Sequence, residues 1–98
     1  MTMTVIVTRD VEDRYRGFLN SVMLEVAPGV YTSPRLSRAV RERVWKVLSE
    51  WHKFLGRGSL VMTWRDRESP GGQGLAFLGE PSRDLVEADG MVLVRRNA

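Results

Sequence analysis

Apolar runs separated by polar turns predict an alternation of strands and helices along this chain. The β-branched run at 3–8 favours a buried strand. Apolar residues at helical spacing predict helices over 11–24 and 34–55, and the second helix carries the longer apolar stripe. Shorter apolar runs predict further strands, which lie at 30–31, 59–64, 75–78 and 91–94.

Polar residues mark the ends of the two predicted helices. Asp10 stands immediately before the first helix, where its carboxylate is well placed as an N-cap. Ser33 and Pro34 give the second helix a start signal, with serine as the N-cap and proline in the first turn. Gly56 and Gly58 mark the end of that helix. The predicted order is therefore strand, helix, strand, helix and three further strands.

This order predicts an α+β protein with two helices on one face of an antiparallel sheet. A split βαβ start of this kind is typical of the ferredoxin-like fold. The chain has 98 residues, so we expect a single domain over 1–98. The last strand is extra to this plan, and a second copy would cover the exposed edges of so small a fold. Since the fold hosts many unrelated functions, it does not indicate one by itself.

Positive charge is concentrated in the middle of the chain. The formal net charge is +3, yet 35–67 holds nine basic residues against three acidic ones. Thirteen of the 15 basic residues are arginine, whose planar guanidinium binds phosphate through two hydrogen bonds. The pattern favours a polyanionic partner, although a solvated basic helix face explains the same counts.

Composition excludes several other classes of site. Cysteine is absent and His52 is the single histidine, which excludes disulfides and thiolate metal sites and argues against zinc. The N-terminal segment MTMTVIVTRD is typical of a first strand rather than of a signal peptide or membrane span. We therefore expect a cytoplasmic protein with no membrane partner.

Aromatic and glycine-rich segments add no second kind of site. Trp51 lies on the apolar stripe and Trp64 ends a strand, so both are predicted core residues. Trp45 lies off the stripe and is a candidate for a contact with another chain. The GGQG segment at 71–74 is a predicted loop rather than a phosphate cradle, because no helix follows it.

Short segments distributed over nearly the whole chain carry a family resemblance. In chain order they are VIVTRDV, RYRGFL, LEV, GVY, RERVW, VMTW and DGM. The chain resembles the small CRISPR-associated adaptation protein, the second of the two universal adaptation subunits, and in particular its type I-E branch. The resemblance implies a ferredoxin-like homodimer that bridges subunits of the CRISPR integrase. It also implies support of double-stranded prespacer DNA during spacer acquisition.

The resemblance further implies which residues contact the DNA. Arg14, Arg16 and Arg83 match the family's DNA-supporting arginines. Arg38 and Arg41 are further candidates, from helix geometry and charge. Such contacts read phosphates, so we expect binding that is independent of sequence and sensitive to salt. One of the two arginines of the first helix is expected to pair with a neighbouring acidic residue, either Glu12 or Asp13.

Asp10 leaves open whether the chain is an enzyme. The resemblance implies a nuclease site in which one aspartate from each subunit holds Mg²⁺, so Asp10 is the candidate catalytic and metal-binding residue. The alternative function is therefore a Mg²⁺-dependent endonuclease of RNA or double-stranded DNA. The neighbouring Arg9 would compete with a cation for the carboxylate, and a plain helix cap explains Asp10 without catalysis. A third hypothesis is an interaction module with no nucleic-acid role.

Overall fold

The computed structural model shows a five-stranded sheet and two helices. It describes residues 2–79 and, as backbone, two further strands near the C-terminus. In chain order the elements are β1 Thr2–Arg9, α1 Asp13–Val22, β2 Leu24–Ala27, β3 Val30–Leu36, α2 Arg38–Leu55, β4 Ser59–Arg65, β5 Gln73–Leu78, β6 Asp84–Ala88 and β7 Met91–Arg95. A 3₁₀ turn at Pro70–Gly72 precedes β5.

The strand order confirms the predicted ferredoxin-like α+β fold. The sheet runs β2-β3-β1-β4-β5, and all of its neighbouring strands are antiparallel. Because β3 lies between β1 and β2, the segment β1-α1-β2 is a split βαβ unit. β5 extends the sheet beyond β4 as an edge strand. β6 and β7 pair with each other in a separate two-stranded sheet, so the predicted last strand forms and has a partner strand that the apolar pattern missed.

Alternation along the strands defines the face on which both helices pack. Ile6 of β1 and Tyr31 of β3 are register partners, and both are completely buried. They share one core with residues of both helices, which include Tyr15 and Leu19 of α1 and Leu48 of α2. Successive strand residues point to opposite faces, so neighbours of these core positions line the helix-free face of the sheet.

Asp10 is not the cap of the first helix, which corrects the sequence prediction. Its backbone has φ 56°, in the left-handed region, whereas an N-cap residue takes an extended conformation. The cap position belongs to Glu12, which is extended and makes no side-chain capping hydrogen bond. The helix therefore begins at Asp13, two residues later than predicted.

The predicted start of the second helix is also wrong. Ser33 and Pro34 lie inside β3, because β1 pairs with that strand as far as Leu36. The helix is capped instead by Ser37, whose hydroxyl accepts a hydrogen bond of 3.2 Å from the backbone N–H of Val40.

The first helix is shorter than predicted and gives way to a strand. It ends at Val22, and the next residues form β2, which pairs with β3 at the edge of the sheet. Within the described residues, neither helix combines the length and the apolar character that crossing a membrane requires.

Candidate nucleic-acid interface

The first turn of α1 lies against the end of α2, and this separates the candidate arginines into two groups. Arg14 lies in the first turn of α1 and contacts Trp51 near the end of α2. Arg38 begins α2, thirteen residues before Trp51. At 1.5 Å per residue the two groups are about 20 Å apart along the helical layer. The arginines of α1 and those at the start of α2 therefore lie at opposite ends of that layer.

Arg14 is held by an aromatic ring. Its guanidinium carbon lies 5.7 Å from the centroid of the Trp51 ring, within the range of a cation–π contact. Trp51 is packed edge-on against Tyr15 at 5.4 Å and Phe18 at 5.5 Å between ring centroids. The ring under Arg14 is therefore fixed by the core, as predicted for this tryptophan, while the arginine itself is exposed.

Arg16 pairs with a carboxylate on a neighbouring strand rather than with an acidic residue of its own helix. Its Nη2 atom lies 3.6 Å from Oε2 of Glu25 in β2. The Arg16 side chain is 52% exposed and that of Glu25 is 21% exposed, so the guanidinium reaches solvent while its partner is largely covered. The Tyr31 hydroxyl, and then Glu25, raise the pKa of Arg16. The guanidinium therefore stays charged at every relevant pH.

The arginines at the start of α2 lie in a groove of mixed charge. Arg38 forms an ion pair with Glu42 at 3.0 Å, one helical turn away. Arg41 is half-buried, with its guanidinium carbon 4.5 Å from the centroid of the Trp64 ring. The groove has a volume of about 770 Å³, and its charged lining residues are Arg38, Arg41, Glu42, Arg65, Asp66, Arg67 and Glu68. Basic and acidic side chains alternate there, so this groove presents less net positive charge than the arginine count implies.

Asp10 lies at the end of β1, and its carboxylate is bound by an arginine. Nη2 of Arg57 donates a hydrogen bond of 3.0 Å to Oδ1 of Asp10, and both side chains are more than half exposed. This contact raises the pKa of Arg57. The sequence predicted that Arg9 would compete with a metal cation for the Asp10 carboxylate. The guanidinium that binds this carboxylate belongs instead to Arg57, in the loop that follows α2.

The described residues do not fit a Mg²⁺ site in one chain. No cluster of three or more acidic, histidine or cysteine side chains occurs in residues 2–79. Asp10 supplies one carboxylate per chain, and that carboxylate already has a guanidinium at hydrogen-bonding distance. A cation would have to displace Arg57 before it could bind.

Other sequence candidates have structural positions. Nε2 of His52 lies 3.0 Å from the carbonyl oxygen of Gly58 and donates to it, which ties α2 to the following loop. Trp45 is half-buried and packs against the core, although it was a candidate for a contact with another chain. Residues 73–74 of the GGQG segment belong to β5. Arg83 lies outside the described residues.

Sequence reasoning missed the residues that hold the arginines. Glu25 is a charged residue inside the short apolar run LEVA, and an ionisable side chain in such a run indicates a specific partner. Trp51 was correctly predicted as a core residue, but its contact with Arg14 depends on how α1 packs on α2.

The fold and the helix arginines together define a small ferredoxin-like protein that presents guanidinium groups at both ends of its helical layer. The model of the family described as CRISPR-associated protein (Cas_Cas2CT1978) matches residues 3–93. The match covers nearly the whole chain, and the chain belongs to this family of CRISPR-associated proteins.

Proposed function

We propose that this protein acts in CRISPR adaptation as a homodimer that bridges integrase subunits and supports prespacer duplex DNA. Family membership supports a role in the CRISPR system. The observation that carries the DNA contact is the pair Arg14 and Arg16, which are exposed in the first turns of α1 and held by fixed partners.

The geometry of this pair suits a phosphate backbone. The two side chains leave the helix about 200° apart, so both reach one backbone only if it crosses the N-terminal end of α1. Free N–H groups at a helix N-terminus also favour phosphate. Each guanidinium has five N–H donors, and neither the Trp51 ring nor the Glu25 carboxylate occupies all of them. Such contacts recognise phosphates and not bases, which suits a protein that must accept any spacer sequence.

The helix-free face of the sheet supports self-association. Val7, Val61 and Phe77 are register partners across three neighbouring strands and therefore form one apolar row on this face. Val7 is 39% exposed and Phe77 is 38% exposed. We propose that a second copy covers this row. Sedimentation equilibrium tests it: Val7→Glu should shift the chain to monomer, and an unchanged dimer would place the interface elsewhere.

Fluorescence anisotropy with a labelled duplex tests the DNA contact. Arg14→Glu and Arg16→Glu should each weaken binding and reduce the slope of log affinity against log salt by about one. Arg35→Glu is the matched control, since Arg35 is exposed on β3 near the opposite end of the sheet. Equal weakening by the control would mean that the start of α1 is not a preferred contact, because net charge and a duplex that reaches the far end would each explain the effect.

A second arm of the same titration asks whether one duplex reaches both ends of the helical layer. The separation of about 20 Å corresponds to roughly six base pairs at 3.4 Å each. If the duplex spans it, Arg38→Glu and Arg41→Glu also weaken binding. If they do not, these two arginines belong to the mixed-charge groove alone. Spacer acquisition by the complex with integrase should fall with Arg14→Glu and Arg16→Glu, and integrase should co-purify with the wild-type chain.

We propose no catalytic step at Asp10. The nuclease hypothesis needs two aspartates across a dimer axis to hold Mg²⁺, and in each chain the carboxylate is bound by Arg57. Incubating the pure protein with RNA or duplex DNA and Mg²⁺ tests this directly. Cleavage that disappears in Asp10→Ala would establish the nuclease function, whereas cleavage that survives the substitution would indicate a contaminant.

A further inference from the structure

Glu25 is anchored in place from two sides. Its Oε2 atom accepts a hydrogen bond of 3.1 Å from the backbone N–H of Gly29 and lies 3.6 Å from Nη2 of Arg16. Gly29 has φ +77°, and a Cβ there would lie 2.8 Å from the carbonyl oxygen of Thr8. The turn that holds the carboxylate is therefore fixed by glycine and pressed against β1.

Tyr31 completes the surroundings of this carboxylate. It is the register partner of Glu25 on β3 and is completely buried. Its hydroxyl oxygen makes no hydrogen bond of good geometry within the described residues, yet it lies close enough to Arg16 to raise the pKa of that guanidinium. The hydrogen bond from Gly29 is the largest contribution that lowers the pKa of Glu25, so the carboxylate is ionised at neutral pH.

We propose that Glu25 is a positioning residue that holds Arg16 in the orientation in which it contacts a DNA phosphate. The inference rests on the proposed DNA-binding function. The carboxylate engages one edge of the guanidinium, and the remaining N–H groups stay available to a phosphate oxygen. Because the ion pair already restricts the Arg16 side chain in the free protein, less conformational entropy is lost when that side chain binds DNA.

The proposal predicts an effect opposite in sign to simple electrostatics. An acidic residue beside a DNA contact repels phosphate, so its neutralisation should strengthen binding if charge is its only effect. If Glu25 positions Arg16, neutralisation weakens binding instead. Glutamine suits this test because its amide oxygen can still accept the hydrogen bond from Gly29.

The experiment measures duplex binding by the full chain as wild type, Glu25→Gln, Arg16→Ala and the double variant. We expect Glu25→Gln to weaken binding about two- to fivefold, the range that one exposed ion pair contributes. In the Arg16→Ala background the same change should have no further effect. The salt slope of Glu25→Gln should move toward that of Arg16→Ala, and thermal denaturation of each variant confirms the fold.

Each other outcome overturns a defined part of the reasoning. Equal or tighter binding by Glu25→Gln, with weak binding by Arg16→Ala, overturns the positioning role and leaves the DNA contact intact. An equal loss from Glu25→Gln in both backgrounds means that Glu25 acts through the fold, which also overturns the positioning role. Wild-type binding by Arg16→Ala overturns the contact itself and the positioning role with it.

Discussion

Replacement of Gly58 by alanine should be among the most damaging small changes in this chain. Gly58 lies in the loop between α2 and β4 with φ +81°. A Cβ at this position would lie 2.7 Å from the carbonyl oxygen of Arg9 and closer still to that of Asp10. The loop therefore presses its backbone directly onto the end of β1, and the same loop carries Arg57 to the Asp10 carboxylate.

Two separate costs determine the expected size of the effect. An alanine in the left-handed region costs roughly 1–2 kcal/mol. The added methyl group would also overlap the β1 carbonyl groups, so the backbone must shift. Overpacking of this kind costs about 1–3 kcal/mol. The sum is about 2–5 kcal/mol, which for a domain of this size lowers Tm by at least about 8 °C.

Gly56→Ala is the matched control for this prediction. Gly56 also has positive φ, at +62°, but among the described residues other than its chain neighbours no atom lies within 4 Å of a Cβ built there. Its replacement by alanine therefore costs only the free energy of placing alanine in the left-handed region. Urea denaturation should show Gly58→Ala to be less stable than Gly56→Ala by at least about 1 kcal/mol. Both variants are measured at the same protein concentration, so that the extent of any self-association is the same. Equal stability of the two would refute the close approach between the loop and β1.

Three other substitutions test individual contacts. The hydrogen bond from Gly29 keeps the pKa of Glu25 below its usual 4.5. Ionised Glu25 therefore stabilises the fold above pH 4.5, and this stabilisation is lost as the pH falls through the lower pKa of the folded state. The difference in unfolding free energy between the wild type and Glu25→Gln should therefore shrink as the pH falls below about 4.5, and a constant difference in urea denaturation would contradict the assignment. Asp10→Asn keeps a residue that tolerates positive φ but removes the negative charge paired with Arg57. Because loss of a negative charge does not oppose phosphate binding, duplex affinity should not fall, and a tenfold loss of affinity by anisotropy would contradict this. Gly74→Ala places a Cβ against an indole, so the near-UV circular dichroism should change and stability should fall by about 1–3 kcal/mol; an unchanged spectrum would show that the packing differs.

The apolar pattern predicted the elements whose signal is local and strong. β1 and β4 are apolar runs in the centre of the sheet, and the stripe of α2 with Gly56 after it gave that helix its correct end. The start of α2 was wrong because Ser33 and Pro34 resemble a helix start, whereas the structure has the cap at Ser37. Pairing between β1 and β3 extends the strand past the first serine, and that pairing is a tertiary effect.

The candidate site was predictable as a set of arginines but not as a set of contacts. Arg14 and Arg16 came from a family resemblance, and the structure places both at the start of α1. Their partners, Trp51 and Glu25, come from other elements. Sequence reasoning favours neighbours along the chain, so it expected one of the two arginines to pair with Glu12 or Asp13.

The position of β1 in the sheet has a consequence for how the chain folds during synthesis. β1 is made before the other described strands, yet it is the central strand and pairs with β3 on one side and β4 on the other. Its pairing of Thr4 with Trp64 closes only after most of the chain exists. Closing contacts between distant residues costs chain entropy before it gains any stability, so folding should be slow relative to a helical protein of equal length. Nascent chains that stop before β4 leave one side of β1 without a partner strand, and such an edge is prone to aggregation.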